Sequence, residues 1–291
     1  MGILANSGTR VLVQGITGRE GSFHALRMRA YGTKVVAGVT PGKGGSDVDG
    51  IEVYDTVLEA MEAQGANASC IFAPSSSGAD AIAECIHDGM PLIVCITEGI
   101  PQMSVIKALA EGARTGWEGR LVGPNGPGLV TVGEALIGIS PAGIFKKGHV
   151  GLVSRSGTLT YEIVDMLSKA GIGQTTCIGV GGDPIIGTTF TDCLRLFEDD
   201  PDTKAVVLIG EIGGSDEENA ARFLHEGSHK PVIAFISGRN APAGKKMGHA
   251  GAIIYGRTGS AQTKIEALKD AGVVVVDKLW EIPGQLLGIL A

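Results

Sequence analysis
Short apolar runs, each ending in a glycine-rich turn and followed by a helix-length interval, constrain this chain more than any other feature. The first is Arg10-Val11-Leu12-Val13-Gln14, which enters Gly15-Ile16-Thr17-Gly18-Arg19-Glu20-Gly21-Ser22 and then a helix expected through about Tyr31. Lys34–Val39 follows as a second strand and completes a βαβ unit. Strands at Ala68–Ala73, Pro91–Ile96 and Arg120–Val122 continue the alternation, with helices ending near His87 and Arg114. Thr131–Lys147 lacks periodicity and contains Pro141, so it reads as a connection between domains. The pattern restarts at Val150–Ser154 and runs through strands at Thr175–Val180, Lys204–Ile209, Pro231–Ile236 and Val273–Val276. Alternating strands and helices predict an α/β chain with parallel sheets. With 291 residues there is room for two such domains, expected at 1–130 and 131–291, the second doubly wound.

Composition removes several function classes. Aromatic residues make up 4% and the net charge is −7, which argues against stacking platforms and phosphate-backbone binding, and so against a nucleic-acid partner. No apolar run approaches the length of a membrane span. The five cysteines have no metal-ligand spacing, and Cys70, Cys95 and Cys177 lie in apolar strands, as buried thiols of a reducing compartment would. No metal site is expected. The N-terminal MGILANSGTR has neither a signal-peptide nor a transit-peptide pattern, which favours a cytoplasmic protein of bacterial type over one of the mitochondrial matrix.

In an open parallel sheet, ligands sit at the loops after the strands. Thr17, Lys43, Ser75, Thr97, Glu98 and Asn125 all fall in such loops of the first half. The first turn is spaced G-x-x-G-x-x-G, and Thr40-Pro41-Gly42-Lys43 stands where a dinucleotide binder would carry an acidic residue. That favours a different phosphorylated adenine ligand, with Lys43 near its phosphates. A tight βα turn beside an ordinary surface lysine is the alternative. His24 and His87 fall on expected helices and read as packing or surface residues.

The second half offers Ser156 as a natural helix cap in Arg155-Ser156-Gly157-Thr158, a helix start suited to an anion. Glu211 ends a strand, and the loop after the next strand is Met247-Gly248-His249-Ala250-Gly251-Ala252-Ile253-Ile254. One histidine among small residues, with no metal-ligating neighbour, is either a covalent carrier, a phosphoryl carrier above all, or a loop residue without a role. A neutral imidazole is a usable nucleophile near pH 7, with an ordinary pKa of about 6.5. A carboxylate on one ring nitrogen would fix the tautomer and leave the other nitrogen to attack.

Eight ordered segments carry a resemblance over nearly the whole chain: QGITGREGSFH, YGTKVVAGVTPGKGG, ITEGIP, GPNGPG, SRSGTLTYE, GGDP, IGEIGG and MGHAGAII. On these the chain resembles the alpha-subunit family of succinyl-CoA synthetase (succinate–CoA ligase), within the NDP-forming acyl-CoA synthetases. The resemblance implies an N-terminal Rossmann-like CoA-binding domain and a flavodoxin-like ligase domain with a doubly wound parallel sheet. It implies that His249 is a phosphohistidine supported by Glu211; the helix start Ser156, Gly157, Thr158 and the loop neighbours Gly248 and Ala250 are then expected around the phosphoryl group. It maps CoA onto Thr17, Gly18, Arg19, Glu20, Lys43, Ile96, Thr97 and Glu98, to which the strand-end residues Ser75 and Asn125 are added, and it puts Tyr161 at the carboxylate substrate.

In this family ATP or GTP, with Mg, belongs to a beta subunit with an ATP-grasp domain, so an alpha-beta or alpha2-beta2 complex is implied. The implied chemistry runs from nucleotide to His249, from His249 to a small carboxylate, and then to CoA. Glu20 stands where glutamine is usual, Gly126 where Thr or Cys is usual, and the Pro74–Ser77 loop is more polar than in the family. These changes touch the CoA and acyl region, so malate–CoA ligase and the citryl-CoA synthetase small subunit stay open beside succinate. An NAD-dependent dehydrogenase is opposed by the missing acidic residue after Val39. A CoA-binding protein without chemistry is opposed by the intact Glu211 and His249 segments.

Overall fold
The computed structural model describes residues 2–227, 230–242, 244–254 and 259–290. It divides into two units, one of Leu4–Ser140 with Ile185–Gly187, the other of Met1–Ile3, Pro141–Pro184 and Thr188–Ala291.

The first unit opens with β1 (Arg10–Gln14), α1 (Arg19–Tyr31) and β2 (Lys34–Val39), with the bounds its glycines suggest. A stretch without sequence-predicted elements then gives β3 (Asp47–Val48), β4 (Ile51–Tyr54) and α2 (Val57–Gln64). The chain continues through β5 (Ala68–Ile71), α3 (Ser75–His87), β6 (Leu92–Cys95), α4 (Gln102–Thr115) and β7 (Arg120–Val122). The strand order is β3-β4-β2-β1-β5-β6-β7, and only β3 with β4 is antiparallel. The chain steps outward from β1 to β2 and β4, then crosses to β5 on the other side of β1. The loops after β1 and β5 therefore diverge and leave a crevice, the usual ligand position of such a sheet. Leu12, Ile71, Ile82, Ile93 and Leu121 form part of the core beneath it.

The expectation of a bare connection over Thr131–Lys147 is corrected by the structure. Its beginning belongs to an antiparallel hairpin, β8 (Gly128–Thr131) with β9 (Ala135–Gly138). Two apolar tetrads flank the turn at Val132-Gly133-Glu134, where Gly133 has φ +79°. The hairpin is tied to the end of α1: Thr33 Oγ1 donates to Leu136 O (2.8 Å) and accepts from Leu136 N (2.9 Å).

The second unit runs β10 (Lys147–Ser154), α5 (Gly157–Lys169), β11 (Gln174–Gly179), α6 (Phe190–Asp199), β12 (Ala205–Glu211) and α7 (Asp216–His225). It ends with β13 (Val232–Ser237), α8 (Ala261–Asp270), β14 (Val274–Val276) and α9 (Ile282–Leu290). These strands lie in the order β14-β13-β12-β10-β11, all parallel. Every residue of β11 and β12 is buried, as expected where helices cover both faces of a parallel sheet. The row α6–α7–α8 packs together, and α5 packs with α9. Here β10 is the switch strand, with β11 on one side and β12 on the other. No helix among the described residues is long and apolar enough to cross a membrane.

Candidate active site
The carboxyl ends of β10, β11 and β12 face the same crevice of the second unit, and each leads into a short turn. Glu211 is the last residue of β12 and is buried. Its Oε2 lies 2.7 Å from Nδ1 of His249, whose side chain is 29% exposed, enough for a reactant to reach the ring. An ionised carboxylate only accepts, so Nδ1 is the nitrogen that carries the proton, and in the neutral imidazole the lone pair is then on Nε2. A neutral imidazole held in one tautomer is the arrangement a nucleophilic histidine needs.

Two glycine turns seat the histidine loop. A Cβ on Gly182, in the turn after β11, would stand 2.4 Å from His249 Cγ. A Cβ on Gly213, after β12, would stand 1.9 Å from the Gly251 carbonyl oxygen. Gly251 N–H donates to Gly182 O (3.0 Å), and Ala252 and Ile254 anchor the loop by burial. Exposed Gly248 and half-buried Ala250 flank the ring and offer only backbone there, so their part can only be N–H groups and small size.

The third turn starts α5. Ser156 is its cap, and its hydroxyl accepts from Leu159 N at 3.3 Å. Gly157 and Thr158 are the first helical residues, and their N–H groups have no partner within a helix. Tyr161 lies one turn further and is half-buried. Arg155, just before the cap, donates to Asp183 O (3.4 Å), which ties this helix start to the turn holding the imidazole.

In the first unit the expected CoA residues fall into two groups. Thr17 Oγ1 donates to Thr40 Oγ1 (3.2 Å), and Lys43 N–H donates to Thr40 O (3.0 Å), so the turns after β1 and β2 meet. Gly18 precedes α1, and Arg19 and Glu20 open it. Arg19 donates from Nε (3.0 Å) and a terminal nitrogen (2.9 Å) to Glu20 Oε1, so the carboxylate that departs from the family has a cation beside it. The second group follows β5 and β6: Thr97 Oγ1 donates to Ala73 O (2.6 Å), and Asn125 N–H donates to Thr97 O (3.0 Å). Ile96 N–H is taken by Ile71 O (3.1 Å), Glu98 is exposed, and Ser75 starts α3.

A cavity of about 370 Å³ opens between the turns after β1, β2 and β5, lined by Gln14, Gly15, Thr40, Pro41, Pro74 and Ser77 among others. Gly15 has φ +76°, and a Cβ there would press on Phe72 backbone at 3.1 Å, so the glycine keeps the crevice open. Glu84 also lines it, and burial pushes its carboxyl above the ordinary range. An apolar cavity with carboxyl groups at its edge suits a purine or ribose better than a phosphate. Among the described residues, no three His, Cys, Asp or Glu side chains are grouped to hold a metal ion.

Comparison with known proteins agrees with this division. A CoA binding domain model matches residues 6–99, and a CoA-ligase model matches residues 153–274. The chain is 52% identical to the alpha subunit of succinate–CoA ligase [ADP-forming] of Aquifex aeolicus, over 100% of this chain and 96% of that one. It is 56% identical to the alpha subunit 2 of Archaeoglobus fulgidus, over the full length of both. The chain belongs to the succinate–CoA ligase alpha-subunit family. Members of this family are acid–thiol ligases, and the two α/β domains expected from the resemblance are those observed. Among solved structures, an ATP citrate lyase of Methanosaeta concilii in complex with (3S)-citryl-CoA superposes with a TM-score of 0.90 at 25% identity, over 99% of this chain and 51% of that one. The chain thus spans about half of that protein.

Four residues around His249 give little sign of their place from sequence alone in this relative of succinate–CoA ligase subunits. Gly182 stood only as part of a glycine pair, and Arg155 as the residue before a cap. Glu217 and Lys264 sit on helices, where a charge ordinarily faces water, yet both are fully buried. Their only sequence signal is that each falls on the apolar face of its helix.

Proposed function
We propose that the chain is the alpha half of a ligase that joins succinate to CoA through a phosphoryl group carried on His249 Nε2. The observation that carries this reading is the Glu211–His249 contact of 2.7 Å at the switch point of the second unit. The Nε2 lone pair attacks the γ-phosphorus of a nucleoside triphosphate, the bond to the β-phosphate oxygen breaks, and the diphosphate leaves. The imidazole becomes cationic, and Glu211 stabilises that charge across Nδ1–H. N–H groups of Gly157 and Thr158, with Ser156 and the backbone of Gly248 and Ala250, are assigned to the phosphoryl oxygens. A succinate oxygen, with Tyr161 assigned to its binding, then takes the phosphoryl group as the N–P bond breaks. The CoA sulfur attacks the acyl carbon of this acyl phosphate, and inorganic phosphate departs.

CoA is assigned to the first unit, through Thr17–Glu20, Lys43, Ser75, Ile96–Glu98 and Asn125, with its adenosine in the cavity beside Gly15. The phosphohistidine is assigned to the second. The triphosphate and its Mg are assigned to an ATP-grasp beta subunit, and the ADP-forming relatives favour ATP. Five free, buried cysteines suit a reducing compartment such as the bacterial cytoplasm. Citrate is a second reading of the acid, favoured by the likeness to ATP citrate lyase. Identity of 52–56% to succinate–CoA ligase subunits against 25% to the lyase ranks succinate first.

The test uses the complex copurified with its beta subunit. It is loaded with ATP or GTP, phosphate on His249 is followed by mass spectrometry at alkaline pH, and CoA is added with succinate, malate or citrate. Discharge by succinate supports the reading, and discharge by another acid alone corrects the substrate. A nucleotide-loaded complex that never phosphorylates His249 rejects the mechanism.

A further inference from the structure
Glu211 holds the imidazole with one carboxylate oxygen only. Its other oxygen, Oε1, is buried with no hydrogen-bond partner among the described residues. The carboxylate therefore has no second side-chain anchor, and its place depends on the backbone that carries it. That backbone is gripped by an unusual group: Glu211 N–H donates to Glu217 Oε1 at 3.0 Å. Glu217 is fully buried in the first turn of α7, and its Oε2 accepts from Lys264 Nζ of α8, itself fully buried. The approach needs the glycine before Glu211, since a Cβ on Gly210 would stand 2.7 Å from both Glu217 Cγ and Oε1.

The group reaches the other side of the imidazole as well. Arg155 Nε lies 4.0 Å from Glu217 Oε1, and a terminal nitrogen lies 3.7 Å from Asp216 Oδ2. The other terminal nitrogen donates to Asp183 O (3.4 Å), next to Gly182, which abuts the ring. Asp216 Oδ2 in turn accepts from Phe190 N–H (3.1 Å). One buried charge network thus spans the strand end that carries Glu211 and the turn that backs His249.

We propose that Glu217, held by Lys264 and Arg155, is a positioning residue for the phosphohistidine: its carboxylate fixes the Glu211 backbone and so the tautomer of His249. Folding stability alone gives a weak reason for such a network, because buried ion pairs are commonly replaceable by apolar groups of the same shape. The role rests on the reading of His249 as the phosphoryl carrier.

Two charge-balanced double variants separate positioning from packing, each assembled with the beta subunit. Glu217→Gln with Lys264→Met removes both charges but keeps an acceptor for Glu211 N–H. Glu217→Leu with Lys264→Met removes the acceptor too. The first is expected to form phosphoenzyme within about three-fold of the natural protein, the second about ten-fold or more slowly, with the KM values for succinate and CoA unchanged. In ¹⁵N-histidine spectra the first keeps the Nδ1–H signature of His249, and the second shows mixed tautomers. Should the Leu variant not assemble, Glu217→Asp, which withdraws the acceptor by one methylene, is expected to show the same loss. A variant without the acceptor that assembles and phosphorylates at the natural rate overturns the proposal. Failure of the natural complex to phosphorylate His249 would instead remove the reading on which it rests.

Discussion

At Gly182 a single missing carbon decides whether the imidazole can meet Glu211. The backbone there has no positive φ, so alanine is conformationally allowed, and the nearest conflict is the Cβ placed 2.4 Å from His249 Cγ. Gly182→Ala is expected to push the ring off Glu211 and slow phosphoenzyme formation about ten-fold or more, equivalent to about 1.4 kcal/mol. Because a half-exposed ring can yield, the cost in stability should stay near 1 kcal/mol, the low end for overpacking. Rapid-quench labelling with radioactive ATP beside a urea titration reads both. A second residue reports on pH. His24 stacks on Phe72 (centroids 5.5 Å apart) and meets Phe23 edge-on (5.0 Å). Burial holds its imidazole below the ordinary 6.5, against a smaller opposing pull from Glu20. As pH falls through about 6.5 the unfolded chain takes up a proton that the folded chain still refuses, so stability drops. Urea midpoints at pH 7.5 and 5.5 should therefore converge in His24→Asn relative to the natural chain.

At the scale of elements, the sequence exposes those parts whose local chemistry agrees with their final setting. β1, α1 and β2 are readable because an apolar run, a glycine turn and a capping glycine coincide. β3 and β4 are two and four residues long at a sheet edge, too short for any period to show. The hairpin β8–β9 is hidden because its glycines resemble those of a linker, and its place is set by ties far along the chain, from Leu136 to Thr33, Thr131 to Ala5 and Gly133 to Tyr31. His249 alone leaves a carrier and a loop residue equally open, and it is the strand-end Glu211 and the ordered family segments that pair the two residues, which the structure brings to 2.7 Å. The Glu217–Lys264 pair is not legible, since burial of a helix charge is decided by partners far along the chain. Ser156 was legible as a cap, and its bond to Leu159 N limits what else its hydroxyl can do. Ser156→Ala should cost about 1 kcal/mol in a urea titration, the usual worth of a cap. Phosphoenzyme formation should fall by less than about three-fold, because the N–H groups of the helix start, which have no partner within the helix, remain to meet the anion. A larger loss with unchanged stability would make the hydroxyl a direct phosphate ligand.

For the whole molecule, the two units have separate cores and separate switch points, one suited to CoA and one to a phosphoryl group. A covalent carrier on a loop lets activation of phosphate and attack by the thiol occur as distinct events, each with its group already held. This predicts a double dissociation in the complex with the beta subunit. Gly15→Val puts a branched side chain at φ +76° and against Phe72 backbone, which should strain the turn beside the cavity proposed for CoA, and it changes no residue of the second unit. CoA binding by calorimetry should weaken about ten-fold or more, while nucleoside triphosphate–diphosphate exchange, which on the proposed mechanism needs the nucleotide site and His249 but no CoA, should stay within about three-fold of normal. His249→Ala should reverse the pattern: exchange and thioester formation vanish, and CoA binds within about two-fold of normal affinity because no CoA residue has changed. If folded Gly15→Val loses exchange together with CoA binding, the nucleotide half-reaction depends on the first unit, and the division of labour drawn from the two sheets does not hold.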